Sequence, residues 1–186
     1  MLSQRFVIGM AAGAVALLAI LAVCSAPASA GEYYVKAEIG TTVDAQAGGV
    51  ELSDEATYGI HGGTSVGPVR VEAGVRHVSG NVALGPFVLE SSAINYTGTA
   101  YLDHSSGFYV GAGVDYYDTE TSIGPFVSMD DSGYGYHVSG GYATRINDRT
   151  ILEVQARYSD AELDSSGDLT GTAITIGLRT RFGSGS

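Results

Sequence analysis

The stretch EYYVKAEIGTTV, residues 32–43, alternates between two kinds of side chain. Every second residue is mostly apolar: Tyr33, Val35, Ala37, Ile39, Thr41 and Val43. The residues between them are polar or small, beginning with Tyr34, Lys36, Glu38 and Gly40. Successive side chains of a β-strand point to opposite faces of the sheet, so a period of two predicts a strand with one apolar and one polar face.

The same alternation recurs along the chain and predicts eight strands in all, each of about 10 to 13 residues. The alternating residues that mark the seven further strands lie within 57–66, 69–76, 94–102, 108–116, 134–142, 152–158 and 172–182. Short connections alternate strictly with long ones, and the long ones cover residues 45–54, 80–91, 118–132 and 160–168. This order is typical of up-and-down hairpins with plain turns at one end and elaborate loops at the other.

A faint internal repeat has the length of one hairpin. Tyr58, Tyr96 and Tyr134 lie 38 residues apart on the apolar face, and the tetrapeptide GPFV occurs at 85–88 and again at 124–127. Its glycine and proline place each copy in a long connection rather than in a central strand. We expect the two phenylalanines, Phe87 and Phe126, to be apolar anchors of neighbouring loops, packed on each other or the rim, or exposed to lipid or a partner.

The first 30 residues are typical of a cleaved signal peptide. Arg5 precedes an apolar run from Phe6 to Val23, and Ala28-Ser29-Ala30 has the form of a cleavage site. The alternatives are an uncleaved membrane anchor and a lipoprotein signal. We expect residues 31–182 to form one barrel domain, followed by a flexible Gly/Ser tail, 183–186, of natural or engineered origin.

Composition excludes several classes of function. The only cysteine is Cys24, the residue that a lipoprotein signal would acylate, so the exported domain has no disulfide and no thiol chemistry. Without Arg5, eight basic residues stand against 20 acidic ones, a net charge of −12, which argues against nucleic-acid binding. The chain has 27 glycines and no convincing helical period after residue 30, as expected of an all-β protein.

Two kinds of barrel fit the alternation, and the polar face distinguishes them. A soluble ligand-binding barrel turns its apolar face inward, whereas a membrane barrel turns it outward to lipid. The polar face here mixes charges with many glycines, which suits a narrow lumen where large side chains need room. The apolar face carries aromatic residues near the strand ends, as interfacial girdles do: Tyr33, Tyr58, Phe108, Tyr116, Tyr134, Tyr158 and Phe182.

The sequence therefore predicts an all-β fold: an eight-stranded antiparallel up-and-down transmembrane β-barrel with short periplasmic turns and four long extracellular loops. From Glu32–Gly40 to Ile176–Phe182 it resembles the small outer-membrane barrels of Gram-negative bacteria, the OmpA-like and opacity-type proteins. The resemblance implies an outer-membrane location and insertion by the barrel-assembly machinery, which reads an aromatic residue closing the last strand. Phe182 would be that residue, although Gly-Ser-Gly-Ser follows it.

Ten charged residues of the polar face are expected to line the lumen: Lys36, Glu38, Arg70, Glu72, Arg76, Asp115, Glu153, Arg157, Arg179 and Arg181. Opposite charges confined there should pair, because an unpaired buried charge is costly. Eight strands enclose little more than side-chain volume, so we expect a salt-bridge plug rather than a selective pore or gate.

No catalytic, cofactor or metal site stands out. His61 and His137 also face the lumen, but no further ligands accompany them, and Ser139, His137 and Asp115 have no spacing that favours a triad over chance. The long connections are acidic and contain no Lys or Arg, so their rim could share divalent cations with lipopolysaccharide or stay hydrated. The segment 160–168 has oxygen ligands at a spacing suggestive of calcium but departs from the EF-hand pattern.

These features predict a monomeric, non-enzymatic barrel without a cofactor, in contact with outer-membrane lipid and lipopolysaccharide, that displays acidic loops at the cell surface. Three alternatives remain open at this point: a narrow pore for small solutes, an adhesin or receptor acting through its loops, and a soluble periplasmic ligand-binding barrel.

Overall fold

The computed structural model describes residues 32–47, 50–84, 87–123, 127–165 and 167–182. They form eight strands: β1 (Glu32–Ala47), β2 (Val50–Val66), β3 (Val69–Leu84), β4 (Phe87–Asp103), β5 (Phe108–Ile123), β6 (Val127–Arg145), β7 (Thr150–Leu163) and β8 (Gly167–Phe182). Each strand pairs antiparallel with the next, and β8 pairs with β1 to close the barrel. The predicted eight-stranded up-and-down barrel is confirmed, and closure leaves no strand edge unpaired.

The strands are longer than the alternation predicts, at 14 to 19 residues. The additional length lies where the long connections were expected: β1 pairs with β2 as far as Ala47 and Val50, and β3 pairs with β4 as far as Leu84 and Phe87. These stretches are rich in Ser, Thr, Asp and Gly, because a hairpin beyond the lipid has no apolar face to maintain. The prediction of 10 to 13 residues per strand was therefore too short, and the long connections are largely ladder-bonded hairpins.

Some predictions fall beyond this part of the chain. The expected signal segment and the Gly/Ser tail lie outside the described residues, and so does Phe126. Phe87 begins β4, and its backbone pairs with Leu84. The proposed contact between the two GPFV phenylalanines therefore stays a prediction.

Burial shows which face of each strand is inside. Along β7, Glu153, Gln155 and Arg157 are buried, whereas the alternating residues Val154 and Tyr158 are exposed. The same inversion holds around the barrel, where Ile39 is 68% exposed. A water-soluble barrel buries its apolar face, so the polar lumen and the apolar outer wall are the pattern of a barrel surrounded by lipid.

Tight turns close one end of the barrel. Gly67, at φ 61°, and Gly107, at φ 93°, supply the left-handed backbone that the first two turns need. In the third turn the Asn147 side-chain oxygen accepts hydrogen bonds from the backbone N–H groups of Arg149 and Thr150, both at 2.9 Å. In the part of the chain that the structure describes, no helix is long and apolar enough to cross a membrane.

Lumen glycines provide space for the large side chains of neighbouring strands. A Cβ atom at any of five glycines would meet an aromatic or imidazole ring within van der Waals distance; the pairs are Gly63 with Tyr34, Gly74 with His61, Gly111 with Tyr101, Gly113 with His137 and Gly141 with Tyr109. The glycine-rich polar face is thus a packing device, because each missing side chain is replaced by a ring from the adjacent strand.

Candidate functional site

The charged lumen is the candidate site. Of the ten charged residues predicted to line it, nine are buried inside the barrel. The tenth, Arg181, lies at the rim near the turns, where its Nη1 is 2.8 Å from Glu32 Oε2. The buried charges form two groups, one towards the turn end of the barrel and one towards the hairpin end.

Arg70, on β3, is the most enclosed charge of the lumen, with 0% of its surface exposed. Its guanidinium lies 4.1 Å from the ring centroid of Tyr101 and 4.9 Å from that of Tyr109. Arg70 Nε is 3.2 Å from Asp103 Oδ2, and Nη1 is 3.4 Å from Glu72 Oε2. Aromatic rings and carboxylates therefore both contact this buried cation, and both kinds of group stabilise a guanidinium.

Glu72 connects Arg70 to side chains of β1 and β2. Lys36 Nζ, on β1, donates a hydrogen bond of 2.7 Å to Glu72 Oε1, and the Tyr34 hydroxyl donates one of 3.1 Å to Oε2. His61 Nδ1, on β2, lies 3.4 Å from Glu72 Oε1. Side chains of three strands therefore converge on one carboxylate.

Glu38 extends this group towards the middle of the barrel. Its carboxylate lies 3.3 Å from Lys36 Nζ and 3.2 Å from His61 Nε2. Arg76 Nε is 2.8 Å from Glu38 Oε1, an ion-pair distance, although its N–H is not aligned for a hydrogen bond. The contact is therefore electrostatic rather than a directed hydrogen bond.

Glu153, on β7, completes the group from the far wall. It lies 2.9 Å from Arg179 Nε on β8 and 3.6 Å from Arg70 Nη1 on β3. We call this continuous set the lower network; it contains Lys36, Glu38, His61, Arg70, Glu72, Arg76, Asp103, Glu153 and Arg179. Leaving His61 aside, its four cations balance four carboxylates, as a buried ionic cluster requires.

A second group, the upper cluster, consists of Thr99, Asp115, His137 and Arg157. Arg157 Nη2 pairs with Asp115 Oδ1, and His137 Nδ1 lies 3.0 Å from Asp115 Oδ2. The other imidazole nitrogen, His137 Nε2, is 2.9 Å from Thr99 Oγ1. The hydroxyl partner of His137, on β6, is thus a threonine of β4, two strands away, and not Ser139.

This hydroxyl, imidazole and carboxylate have the connectivity of a nucleophilic triad but not its surroundings. All three side chains are buried, so a substrate has no access to Thr99. They project from paired strands, whose backbone N–H groups are used in the ladders rather than aimed at an oxyanion. The upper cluster is therefore a packed ion pair with a hydrogen-bonded histidine.

The structure also describes the candidate cation segment. Asp160 and Glu162 lie on β7 and Asp168 on β8, where Glu162 and Asp168 face each other across the ladder. The segment is a hairpin rather than a loop wrapped around an ion. Within the described ranges, no three His, Cys, Asp or Glu side chains are arranged to hold a metal ion.

The seven predicted girdle aromatics all lie on the outer-wall parity of their strands. Phe108 and Phe182 are more than half exposed near the turn end, and Tyr58, Tyr134 and Tyr158 are exposed towards the hairpin end. Tyr33 and Tyr116 are half-buried. Three further outward tyrosines, absent from the prediction, extend the two belts: Tyr96, Tyr136 and Tyr142.

Two features of the site were missed from the sequence. Asp103, which pairs with Arg70, is the last residue of β4, so it appeared to belong to a turn. Buried tyrosines form the second feature: Tyr34, Tyr101, Tyr109 and Tyr117. All four occupy the polar parity of their strands, and that parity is the signal that separates them from the girdle tyrosines.

Comparisons with known proteins identify the family of this barrel. The family model described as outer membrane protein beta-barrel domain matches residues 15–182. A search of curated proteins gives no match. Among solved structures, neisserial surface protein A (NspA) is similar with a TM-score of 0.63 and 14% identity, over 81% of this chain and 97% of that chain.

Two other solved barrels share the fold. Ail, the attachment invasion locus protein of Yersinia pestis in complex with the heparin analogue sucrose octasulfate, gives a TM-score of 0.59 and 12% identity over 82% of this chain and 99% of that one. A major outer membrane protein of Thermus thermophilus gives 0.50 and 11% over the same shares. The chain belongs to the outer membrane protein β-barrel domain family and is a protein of the bacterial outer membrane.

Proposed function

We propose that this chain is a sealed, monomeric, non-enzymatic barrel that spans the outer membrane and presents acidic hairpins at the cell surface. The observation that carries the proposal is the contact between Arg70 and Glu153, at 3.6 Å. These residues project from β3 and β7, which are four strands apart in a ring of eight and therefore stand on opposite walls. Side chains that meet from opposite walls narrow the lumen at that level, which supports the proposed seal.

Tyrosines add further contacts across the lumen to this proposed seal. The Tyr101 and Tyr109 rings meet edge to face, with centroids 5.6 Å apart, beside the Arg70 guanidinium. Gln155, on β7, donates a hydrogen bond of 3.1 Å to the Tyr101 hydroxyl on β4, which is a second contact across the lumen. Opening the lumen would require several buried ion pairs and hydrogen bonds to break together, which is costly at low dielectric.

Solute flux tests the seal. The refolded protein is placed in liposomes, and swelling in isotonic arabinose is compared with that of protein-free liposomes. We expect equal rates for the wild-type protein. A variant with Arg70→Ala and Tyr101→Ala should swell faster, whereas Arg149→Ala, on an exposed turn, should not. Circular dichroism and heat-modifiable gel mobility establish that each variant has a folded barrel, and rapid swelling of the wild-type liposomes would contradict the proposal.

A second candidate function, recognition of a basic partner, is favoured by the charge of the hairpin end. Its exposed carboxylates include Asp44, Glu90, Asp118, Glu120, Asp130, Glu162 and Asp168, and Asp160 beside them is half-buried. No Lys or Arg accompanies them between the belts and the hairpin tips in the described ranges. The sulfated sugar bound to Ail would be repelled by this surface, so we do not transfer that ligand to this chain.

Binding of a basic peptide to cells that display the protein tests this second function. We expect binding that falls with ionic strength and is lost when four of the exposed carboxylates are replaced by amides, with the barrel still inserted. Binding that survives both treatments would exclude charge recognition by the hairpins.

We further propose that insertion depends on the barrel-assembly machinery reading Phe182, which is exposed at the end of β8.

A further inference from the structure

A polar cavity lies on the barrel outside the lumen. It has a volume of about 350 Å³ and is lined by serines and glutamates of β3, β4 and β5, among them Ser79, Ser92, Ser122, Glu90 and Glu120. The volume falls in the range of small-molecule sites, about 300–1,000 Å³. Neither the lower network nor the upper cluster contributes to it.

Strand parity places five of the seven lining residues on the outer wall, and only Gly80 and Ser91 have lumen parity, so the cavity opens sideways. Glu90 and Ser92 share the face of Tyr96 on β4, and Glu120 shares the face of Tyr116 on β5. The ladders between β3, β4 and β5 run without a bulge, so the parity is preserved along their length. Tyr96 and Tyr116 belong to the outer aromatic belt, so the cavity is on the outer wall.

The height of the cavity follows from the register. Ser92 and Glu120 face each other across the ladder, each four residues beyond the tyrosine of its strand. Four residues span about 13 Å along a strand, or roughly 10 Å along the membrane normal at the usual tilt. Since the tyrosine belt marks the interface, the cavity lies at the level of the lipid headgroups of the outer leaflet.

The lining chemistry favours sugar hydroxyls. Carboxylates accept hydrogen bonds from hydroxyls, and serine hydroxyls both donate and accept, so together they match a polyol. The Ser128 hydroxyl donates to Glu120 Oε1 at 3.0 Å, which fixes that carboxylate and leaves Oε2 for a ligand. No lysine or arginine is among the lining residues, so the site does not suit a phosphate group.

We propose that this cavity binds uncharged sugar residues of the glycolipid in the outer leaflet, and so holds a lipopolysaccharide core against β3–β5. The position of the cavity selects this source over a free saccharide, because it opens laterally among the headgroups rather than upward from the hairpin tips. The attachment does not need the lumen to be sealed, so its failure would leave the proposed function intact.

The test uses the refolded full chain in phospholipid nanodiscs. The probe is a core oligosaccharide released from rough lipopolysaccharide by mild acid and then dephosphorylated, and binding is measured by calorimetry with EDTA present. The variant carries Glu90→Ala and Glu120→Ala. The matched control carries Glu162→Ala and Asp168→Ala, which removes two exposed, ladder-paired carboxylates from another part of the outer wall.

We expect the wild-type protein and the control to bind the probe with dissociation constants within twofold of each other. The cavity variant should bind at least tenfold more weakly. Absence of binding by the wild-type protein in EDTA would overturn the proposal, as would an equal loss in both variants, because either result would assign the interaction to bridging cations or to general charge. Retained binding by the cavity variant would overturn it as well.

Discussion

Replacing Glu72 with glutamine tests the lower network at the point where it joins the most strands. Glu72 is 2% exposed, and its carboxylate lies 2.7 Å from Lys36 Nζ, 3.4 Å from Arg70 Nη1 and 3.4 Å from His61 Nδ1. Glutamine has nearly the same volume, so the substitution changes the charge and leaves the packing of the lumen in place.

The expected loss follows from what the change leaves behind. The network then has four cations and three carboxylates, and Lys36 retains Glu38, at 3.3 Å, as its ion-pair partner among the described residues. Removing one partner of a buried ion pair costs about 3–5 kcal/mol. We expect the free energy of unfolding to fall by that amount, about 3–5 kcal/mol, in the single variant.

A second substitution tests whether the unpaired charge causes the loss of stability in Glu72→Gln. Lys36→Met in the Glu72→Gln background removes the cation that lost its partner, while Glu38 keeps Arg76 at 2.8 Å. Because the two substituted residues are in contact, the double variant should regain about 1–3 kcal/mol relative to the sum of the single effects.

Urea unfolding of the protein in lipid vesicles, followed by circular dichroism, gives these free energies. The control is Glu162→Gln on the exposed face of β7, which should change stability by no more than about 0.5 kcal/mol. If Glu72→Gln unfolds at the same urea concentration as this control, the carboxylate is not held in a dry ionic network, and the reasoning about the lumen is refuted.

Further variants test the packing, the lipid face and the rim. Gly113→Ala would place a methyl group against the Gly98 backbone oxygen, so it should lose about 1–3 kcal/mol in the same unfolding assay. Gly98→Ala points into open space and should stay within about 0.5 kcal/mol of the wild-type protein. Ala112→Arg, on the outer wall at mid-strand, should cost about 2–4 kcal/mol in vesicles, whereas no loss would show that this face does not contact lipid. The Glu32 side chain is 36% exposed, so Glu32→Gln, which breaks the rim pair with Arg181, should cost less than about 1 kcal/mol.

The fold was predictable because one physical rule governs every strand. Lipid requires an apolar outer wall, and closure of the sheet gives every strand an inner face towards the lumen. Tyr33 and Tyr34 therefore belong to opposite faces by position alone. Strand length was not predictable in the same way. Residues 118–123, for example, continue β5 above the membrane, where no apolar face is needed and the alternation disappears.

The charged residues that line the lumen could also be predicted from strand parity, but which of them contact each other could not. That Arg70 meets Glu153 depends on the tilt and shear of the closed barrel, which alternation does not specify. Parity puts Asp103 on the lumen face of β4, but only if the strand extends to that residue, which the sequence did not indicate. Parity also does not say that His137 bonds to Thr99 rather than to Ser139.

Single-channel recording of the wild-type protein in planar lipid bilayers tests the sealed lumen most directly. We expect no discrete conductance steps at moderate voltage, because in the proposed seal Arg70, Tyr101 and Glu153 would close the lumen from opposite walls. Frequent, long-lived steps of the size produced by a general porin would contradict it.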